Sequence, residues 1–307
     1  MSSLSSQVKA AISKAFLLAI VIAAFGTSAE GVRANAQQRE IIVIDELERE
    51  VEVRLPVRTI VSIAPSNTEI LFALGLGDRV VGVTEACDYP PEAGSKPKVG
   101  HVEMNMEKIV GISPDLVVAV GSMQLPAIET LSGLGIPVVA LDPKTLKGVL
   151  DSIALMGRIT GTEDKASLLV ERLNDEIQGI QLQAAEAVMK EGRPRVFVEI
   201  WDDPLMTAGP GTFIDELIRM AGGENVSGDA GLEWPEFSVE AVVQRDPDVI
   251  VTVWTDREDV LRRPAWNGLS ACRTGRVYKM NPDILTRPGP RLVEGLRDLL
   301  KIIHPGR

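Results

Sequence analysis

Residues 163–190 read E-D-K-A-S-L-L-V-E-R-L-N-D-E-I-Q-G-I-Q-L-Q-A-A-E-A-V-M-K and predict one long helix. Its apolar residues recur three or four positions apart and form a single stripe: Ala166, Leu169, Val170, Leu173, Ile177, Ile180, Ala184 and Val188. Thr162 can cap the start, and Gly192 and Pro194 end the helix. At 1.5 Å per residue the helix is about 42 Å long. Such a helix can lie on the surface of one domain or connect two lobes.

The segments on either side of this helix resemble each other, which favours two lobes. Residues 106–121 (M-E-K-I-V-G-I-S-P-D-L-V-V-A-V-G) align without a gap with residues 239–254 (V-E-A-V-V-Q-R-D-P-D-V-I-V-T-V-W). A second pair, residues 69–82 and 215–228, aligns at a different offset, which indicates an insertion. The apolar run after each Pro-Asp is typical of a parallel strand buried on both faces. We therefore expect an α/β fold: two similar lobes with parallel-sheet cores, one long rigid connecting helix, and a ligand cleft between the lobes.

Apolar runs and amphipathic segments predict the other elements. Strands are expected at residues 58–63, 79–84, 115–120, 137–141, 195–200, 248–253 and 277–280, after an N-terminal hairpin at 41–45 and 51–55. Helices are expected at 107–112, from Pro126, and at 145–160, 212–221, 239–244 and 291–303. Ser66 and Glu69 have the spacing of a capping box. The expected domains are residues 1–36 (signal peptide), 37–161 (N-terminal lobe), 162–191 (connecting helix) and 192–307 (C-terminal lobe).

The first 36 residues have the features of a secretory signal peptide. Lys9 and Lys14 precede an apolar run at residues 15–25, and Ala34-Asn35-Ala36 fits a cleavage site. The alternative is an uncleaved anchor, but the run is too short to span a bilayer. No cysteine lies near the cleavage site, so a lipoprotein is not expected. These features predict a periplasmic protein.

Charge and cysteine content exclude two further classes. The chain has 307 residues and a net charge of −11. Removing residues 1–36 leaves 29 basic and 42 acidic residues, a charge of −13. A chain this acidic is unsuited to binding nucleic acid, because phosphate recognition requires Lys and Arg. Cys87 and Cys272 could pair in an oxidising compartment, but two cysteines do not make a disulfide scaffold.

Motifs for catalysis are absent from the sequence. There is no G-x-S-x-G elbow, no phosphate-binding G-x-x-x-x-G-K-[ST] loop and no G-x-G-x-x-G after a strand. The histidines are His101 and His304, too few for a three-histidine metal site, and His304 is expected on the surface. An exported two-lobed chain of this kind is expected to be a binding protein, not an enzyme, with no cofactor and no metal.

Several stretches resemble the periplasmic cobalamin-binding proteins of ABC importers, within the wider group of helical-backbone receptors for cobalamin, haem and iron-siderophores. They are residues 60–75 (I-V-S-I-A-P-S-N-T-E-I-L-F-A-L-G), 87–93 (C-D-Y-P-P-E-A), 105–117 (N-M-E-K-I-V-G-I-S-P-D-L-V), 234–242 (W-P-E-F-S-V-E-A-V) and 287–292 (R-P-G-P-R-L). The resemblance implies two lobes that move little on binding, a corrinoid as transported ligand, and an ABC importer permease as partner. A monomer is expected.

The resemblance also implies ligand contacts in loops and at strand ends. They are Trp234, Tyr89, Asp88, Asp283, Arg287 and His101. Trp201 and Met206 are further candidates, because Trp201 ends a predicted strand and strand ends in α/β lobes face the ligand crevice. Each has a structural alternative: Trp234 can plug a core edge, Tyr89 can be a core residue, and Asp283 and Arg287 can form a surface ion pair. Ala86 departs from the family, which has an aromatic residue there. Arg291 and Trp266 are expected to be structural.

Two glutamates occupy equivalent places in the aligned halves. Glu107 and Glu240 each lie in the first turn of a short helix, where a carboxylate also favours the helix dipole. In the resembling family these glutamates dock onto arginines of the permease, one per subunit. The expected function is capture of cobalamin or a related corrinoid for an ABC importer. Within the class the alternative is haem or a ferric siderophore, and outside it an exported enzyme with an unrecognised site.

Overall fold

A computed structural model describes residues 39–306. The predicted signal peptide, residues 1–36, lies outside the described residues. The described chain contains two α/β lobes, each with its own sheet, on either side of one long helix. No helix within residues 39–306 is long and apolar enough to cross a membrane.

The first lobe has an antiparallel hairpin followed by a parallel sheet. The hairpin is β1 (Arg39–Ile44) and β2 (Glu50–Leu55). The sheet contains β3 (Ile60–Ser62), β4 (Val80–Val83), β5 (Leu116–Val120) and β6 (Val138–Leu141), in the order β4-β3-β5-β6. The helices are α1 (Pro65–Ala73), α2 (Pro91–Gly94), α3 (Met106–Ile112), α4 (Leu125–Gly133) and α5 (Leu146–Thr160).

The long helix, α6 (Glu163–Glu191), agrees with the predicted span to one residue. The residues it buries follow the predicted stripe: Ala166, Leu169, Leu173, Ile177, Ile180, Ala184 and Ala187. Ala187 is buried where Val188 was expected, and Val188 is half-buried. The side chain of Thr162 does not cap the helix, because its hydroxyl lies 2.9 Å from that of Thr160.

The second lobe has a mixed sheet. Its strands are β7 (Arg195–Asp202), β8 (Leu205–Thr207), β9 (Glu224–Asn225), β10 (Val249–Thr252) and β11 (Val277–Lys279), in the order β11-β10-β7-β8 with β9 also on β7. β8 is antiparallel to β7, and the other pairs are parallel. The helices are α7 (Phe213–Met220), α8 (Val239–Arg245), α9 (Arg257–Leu261), α10 (Ser270–Arg273), α11 (Pro282–Leu285) and α12 (Leu292–Ile303).

The aligned halves have the same local geometry at α3 and α8. Asn105 and Ser238 cap these helices, and each side chain accepts a hydrogen bond from the backbone amide three residues on. Both helices end at a residue in the left-handed conformation, Ser113 at φ 50° and Asp246 at φ 39°. The same cap at each end shows that the sequence similarity reflects a structural repeat.

The aspartate of the Pro-Asp pair that follows α3 and α8 has the same structural role in both lobes. The Asp115 carboxylate accepts from the amide of Thr59, next to the start of β3, at 2.9 Å. The Asp248 carboxylate accepts from the amide of Arg195, at the start of β7, at 2.8 Å. Each aspartate therefore ties the strand that follows it to the first parallel strand of its lobe.

The expected capping box at Ser66 and Glu69 is wrong. α1 begins at Pro65, with Ala64 as its N-cap and no side-chain cap, so both residues lie inside the helix. Proline suits the first helical position because that residue needs no amide hydrogen bond. The Glu69 carboxylate is directed at Arg291 of the second lobe instead.

The structure also decides two predictions about single residues. His304 is fully buried, not on the surface, and its Nδ1 lies 3.2 Å from Oε2 of Glu191 at the end of α6. The end of α12 packs against α6, and this long-range contact covers the ring. Cys87 is buried in the first lobe, Cys272 is half-buried in α10 of the second, and both are free thiols.

Candidate functional site

The candidate site lies where the carboxyl ends of the two sheets meet. Asp88 follows β4, which is at one end of the first sheet, and Arg287 follows β11, which is at one end of the second. Arg287 Nη1 donates to Asp88 Oδ1 at 2.6 Å, so these two edges are joined directly. Ligands of open α/β sheets bind at the carboxyl ends of strands, which makes this edge the candidate cleft.

Arg287 is surrounded by acids. Besides Asp88, its Nη2 lies 2.8 Å from Oδ1 of Asp283 and its Nη1 lies 3.4 Å from Oε1 of Glu69. The side chain of Arg287 is 16% exposed, so the ion pair with Asp283 is not the surface pair that was the alternative. The hydrogen bond from Arg287 stabilises the ionised form of Asp88 and lowers the pKa of its carboxyl.

Arg291 contacts two residues of the first lobe. Its Nε and Nη2 donate to the two oxygens of the buried Glu69 at 2.9 Å and 2.6 Å. Its guanidinium carbon lies 3.8 Å from the centre of the Tyr89 ring, a cation–π contact. The sequence reasoning did not place Glu69 at this site. The signal was available: an acid before the apolar run Ile70-Leu71-Phe72-Ala73 requires a buried cation once that helix packs.

A second group of predicted residues lies on neighbouring backbone segments. Met206 of β8 is opposite Trp201 of β7, and it also forms a bridge with Glu236. Trp234 lies two residues before Glu236 and packs edge-on against Phe213, with ring centroids 6.4 Å apart. Trp201 is 49% exposed and Trp234 is 40% exposed, so neither ring is a core plug. The structure thus brings Trp201, Met206 and Trp234 together.

Trp254 belongs with this group, although the sequence reasoning missed it. It follows β10, which lies between β7 and β11, and it is 54% exposed. Thr252 holds the turn after the strand by donating its hydroxyl to the Thr255 carbonyl at 2.7 Å. The signal was a tryptophan directly after an apolar strand, in the run V-I-V-T-V-W. Strand ends in such lobes face the ligand crevice.

The site residues of the second lobe follow the order of its strands. Asp283 and Arg287 follow β11, Trp254 follows β10, Trp201 is the second-last residue of β7 and Met206 lies on β8. Neighbouring strands are about 4.8 Å apart, so this row is about 14 Å long. It has a polar end and an aromatic end.

His101 lies on an exposed turn beside the loop that follows β4, since the Glu85 amide donates to the carbonyl of Gly100 at 2.9 Å. Gly100 has φ 139°, and a Cβ on it would lie 2.4 Å from the Glu103 carbonyl oxygen, so this turn requires glycine. No hydrogen bond or ion pair joins the His101 ring to another side chain of the described chain. Within residues 39–306, no group of three His, Cys, Asp or Glu could hold a metal ion.

Two cavities lie near these elements. One of about 410 Å³ lies between α1, α6 and α12 and is lined by Tyr89 and Arg291, among others. A larger one of about 1250 Å³ lies on the second lobe and includes none of the predicted ligand contacts. Three arginines that line it are already paired with carboxylates: Arg195 with Asp248, Arg219 with Asp215 and Arg245 with Asp229. The larger cavity is therefore a weaker candidate than the carboxyl edge, whereas the smaller one adjoins the Glu69–Arg291 contact of the site.

Glu107 and Glu240 are exposed in the first turn of α3 and α8. Neither carboxylate has an ion-pair or hydrogen-bond partner in the part of the chain that the structure describes. Their equivalence follows from the matching caps of the two helices.

Relatives known from sequence include proteins named for substrate binding. The chain is 36% identical over 299 residues to an uncharacterised ABC transporter substrate-binding lipoprotein of Bacillus subtilis, covering 94% of this chain and 95% of that one. It is 33% identical over 260 residues to a cobalamin-binding protein of Halobacterium salinarum, covering 80% of this chain and 69% of that one.

Solved structures with the same two-lobed fold include proteins for different ligands. The periplasmic vitamin B12-binding protein BtuF of Vibrio cholerae aligns with a TM-score of 0.70 and 29% identity, over 81% of this chain and 99% of that one. The periplasmic haem-binding protein RhuT of Roseiflexus aligns with a TM-score of 0.72 and 28% identity, over 81% and 98%. The family model described as periplasmic binding protein matches residues 60–284, and this chain belongs to that family.

Proposed function

We propose that this chain captures cobalamin or a related corrinoid outside the cytoplasm and delivers it to an ABC importer. Binding makes and breaks no bond, so the chain acts as a receptor and not as an enzyme. The leader at residues 1–36 directs export to the periplasm, and the receptor works as a monomer.

The observation that carries this proposal is the row along the carboxyl edge of the second sheet. Trp201 and Trp254 offer exposed flat rings and the half-buried Met206 an adaptable apolar group, which suit the face of a planar macrocycle. Asp283 and Arg287, at the other end of the row, offer groups that can bond amide side chains. A corrinoid combines these two chemistries: an apolar ring system and a rim of amides.

Haem is the second candidate, because a solved haem-binding protein matches the chain as well as a vitamin B12-binding protein does. A haem iron requires an axial ligand, and the exposed His101 ring, which has no side-chain partner within residues 39–306, is the candidate for it. The anionic propionates of haem would compete with Asp88 and Asp283 for Arg287, whereas neutral amides would not displace these acids completely.

Colour distinguishes these candidates. The purified chain is mixed separately with cyanocobalamin, haemin and a ferric siderophore, desalted, and examined by absorption spectroscopy. We expect cyanocobalamin to remain with the protein. If cyanocobalamin separates with the small molecules while haemin stays bound, the corrinoid proposal is wrong and haem is the ligand. Retention of none of the three would point to a ligand outside this group.

Delivery requires contact with permease subunits. We assign this contact to Glu107 and Glu240, one in each lobe, whose exposed carboxylates have no partner within residues 39–306 and can meet basic groups of the permease.

A further inference from the structure

The repeat extends beyond the two docking glutamates in both directions. Residues 103–110 read E-M-N-M-E-K-I-V, and residues 236–243 read E-F-S-V-E-A-V-V. The second segment has the same pattern: a glutamate, a cap residue two positions later, a second glutamate, and a valine three positions after that. Sequence similarity that extends into exposed positions is not explained by the packing of a core.

The two valines are exposed to the same degree. Val110 is 41% exposed and Val243 is 43% exposed, whereas Ile109 and Val242, the residues before them, are fully buried. Residues three apart on a helix lie side by side, so each valine lies beside a docking glutamate. Each lobe therefore presents an apolar group next to a carboxylate on the same helix.

The outer glutamates are also equivalent. Glu103 and Glu236 each lie two residues before the N-cap of their helix, and both are exposed. Neither carboxylate has a hydrogen-bond or ion-pair partner within residues 39–306. In each lobe, one unpaired carboxylate thus lies before the N-cap residue and one after it. The exposed valine lies next to the second carboxylate.

We propose that these residues form two matched docking units, Glu103/Glu107/Val110 and Glu236/Glu240/Val243, that bind two equivalent permease subunits. This inference rests on the proposed delivery to an ABC importer. Each permease subunit would present an apolar pocket for the valine, with two basic groups beside it. An apolar contact that loses its water, inside a charged rim, is the usual arrangement of a transient interface. The valine then contributes to residence time and the carboxylates to the rate of encounter.

The test uses two double variants, Val110→Ser with Val243→Ser and Glu103→Gln with Glu236→Gln. The partner is a corrinoid importer in lipid nanodiscs whose ATP hydrolysis the wild-type chain stimulates. We expect the valine pair to raise the protein concentration needed for half-maximal stimulation about tenfold, without changing its salt dependence. Each single valine change should raise it about threefold. The glutamine pair should slow association and reduce its salt dependence.

Leu182→Ser is the matched control, because Leu182 is 69% exposed on α6, outside both units. It should leave stimulation unchanged. Equal stimulation by wild type and the valine pair would overturn the proposal, and so would a loss confined to one lobe. A wild-type chain that dimerises in sedimentation, with dimers lost in the valine pair, would show that these faces bind a second copy instead. Cyanocobalamin retention by every variant separates a docking failure from failure of the proposed ligand.

Discussion

Arg291 of the second lobe donates two hydrogen bonds to the carboxylate of Glu69 in the first lobe, at 2.9 Å and 2.6 Å. Their side chains are 12% and 2% exposed, so both charges are largely removed from water. Such a bidentate pair has a narrow range of geometries and therefore orients the groups that it joins. Together with α6, it connects the lobes at the edge where the candidate site lies.

The first prediction is that Glu69→Gln destabilises the chain strongly. The neutral glutamine amide cannot compensate the positive charges of Arg291 and Arg287. Arg287 Nη1 lies 3.4 Å from Oε1 of Glu69. We expect a loss of about 3 kcal/mol in the free energy of unfolding, measured by urea denaturation. Asp151→Asn is the control, because the pair of Asp151 with Lys147 is 62% and 80% exposed and screened by water. Equal losses in both variants would contradict the central role of Glu69.

The second prediction concerns pH. Hydrogen bonding to Arg287 holds the pKa of Asp88 below its ordinary value of 3.8. A lowered folded-state pKa contributes stability that is fully present above the unfolded pKa and is lost as pH falls through the folded value. The stability difference between wild type and Asp88→Asn should therefore be constant from pH 7 to about 5 and shrink below about 4. Urea denaturation at each pH measures this difference in unfolding free energy. A difference that grows on acidification would show that folding raises, and does not lower, the pKa of Asp88.

Local patterns predicted most of the fold because their physical causes are local. The 3.6-residue periodicity and the breakers at Gly192 and Pro194 were sufficient to bound α6. β8 was missed because Leu205–Thr207 is three residues long and depends on antiparallel pairing with the end of β7. The capping box at Glu69 was wrong because a long-range ion pair and a proline at the helix start outweighed a local rule.

The candidate site was predictable in composition and not in arrangement. Trp201 could be assigned to a strand end from the sequence, because a short apolar run fixes the strand. The contact of Asp88 with Arg287 joins residues 199 positions apart, and no periodicity reports such a contact. His304 shows the same limit, since its burial depends on the docking of α12 against α6.

The third prediction is that Trp266 is structural. It is 1% exposed, its ring centre lies 5.9 Å from that of Phe197, and Arg263 lies 4.5 Å above it. Trp266→Ala should cost about 3–5 kcal/mol of unfolding free energy because it leaves a large cavity. Trp266→Phe should cost less, since the Trp266 Nε1–H has no acceptor within residues 39–306 and its loss leaves nothing unpaired. Thermal and urea denaturation compare the two, and a larger loss for Phe would contradict this reasoning.

The fourth prediction is that exposed tryptophans at the carboxyl edge bind the ligand. Trp201→Ala and Trp254→Ala should each weaken cyanocobalamin binding about tenfold, because each ring offers a flat apolar face. Unfolding free energies should change little, since half of each ring is in water. Titration followed by tryptophan fluorescence measures the affinity. Unchanged affinity in Trp254→Ala would show that Trp254 is not part of the site. Unchanged affinity in both variants would show that the ligand does not bind along this row.

The last prediction concerns Glu107 and Glu240. Matching caps place both carboxylates in the first turn of equivalent helices, and both are exposed. Charges at the rim of a transient interface mainly steer encounter, and this steering weakens as salt screens them. The double change Glu107→Ala with Glu240→Ala should therefore leave cyanocobalamin binding nearly intact and sharply reduce importer-stimulated ATP hydrolysis and uptake. Each single change should be intermediate, because the two lobes contribute alike. At 0.5 M salt, stimulation of ATP hydrolysis by the wild type should fall towards the level of the double variant at low salt. High salt and the double substitution remove the same electrostatic attraction. Uptake at the wild-type rate by the double variant would exclude these glutamates from docking.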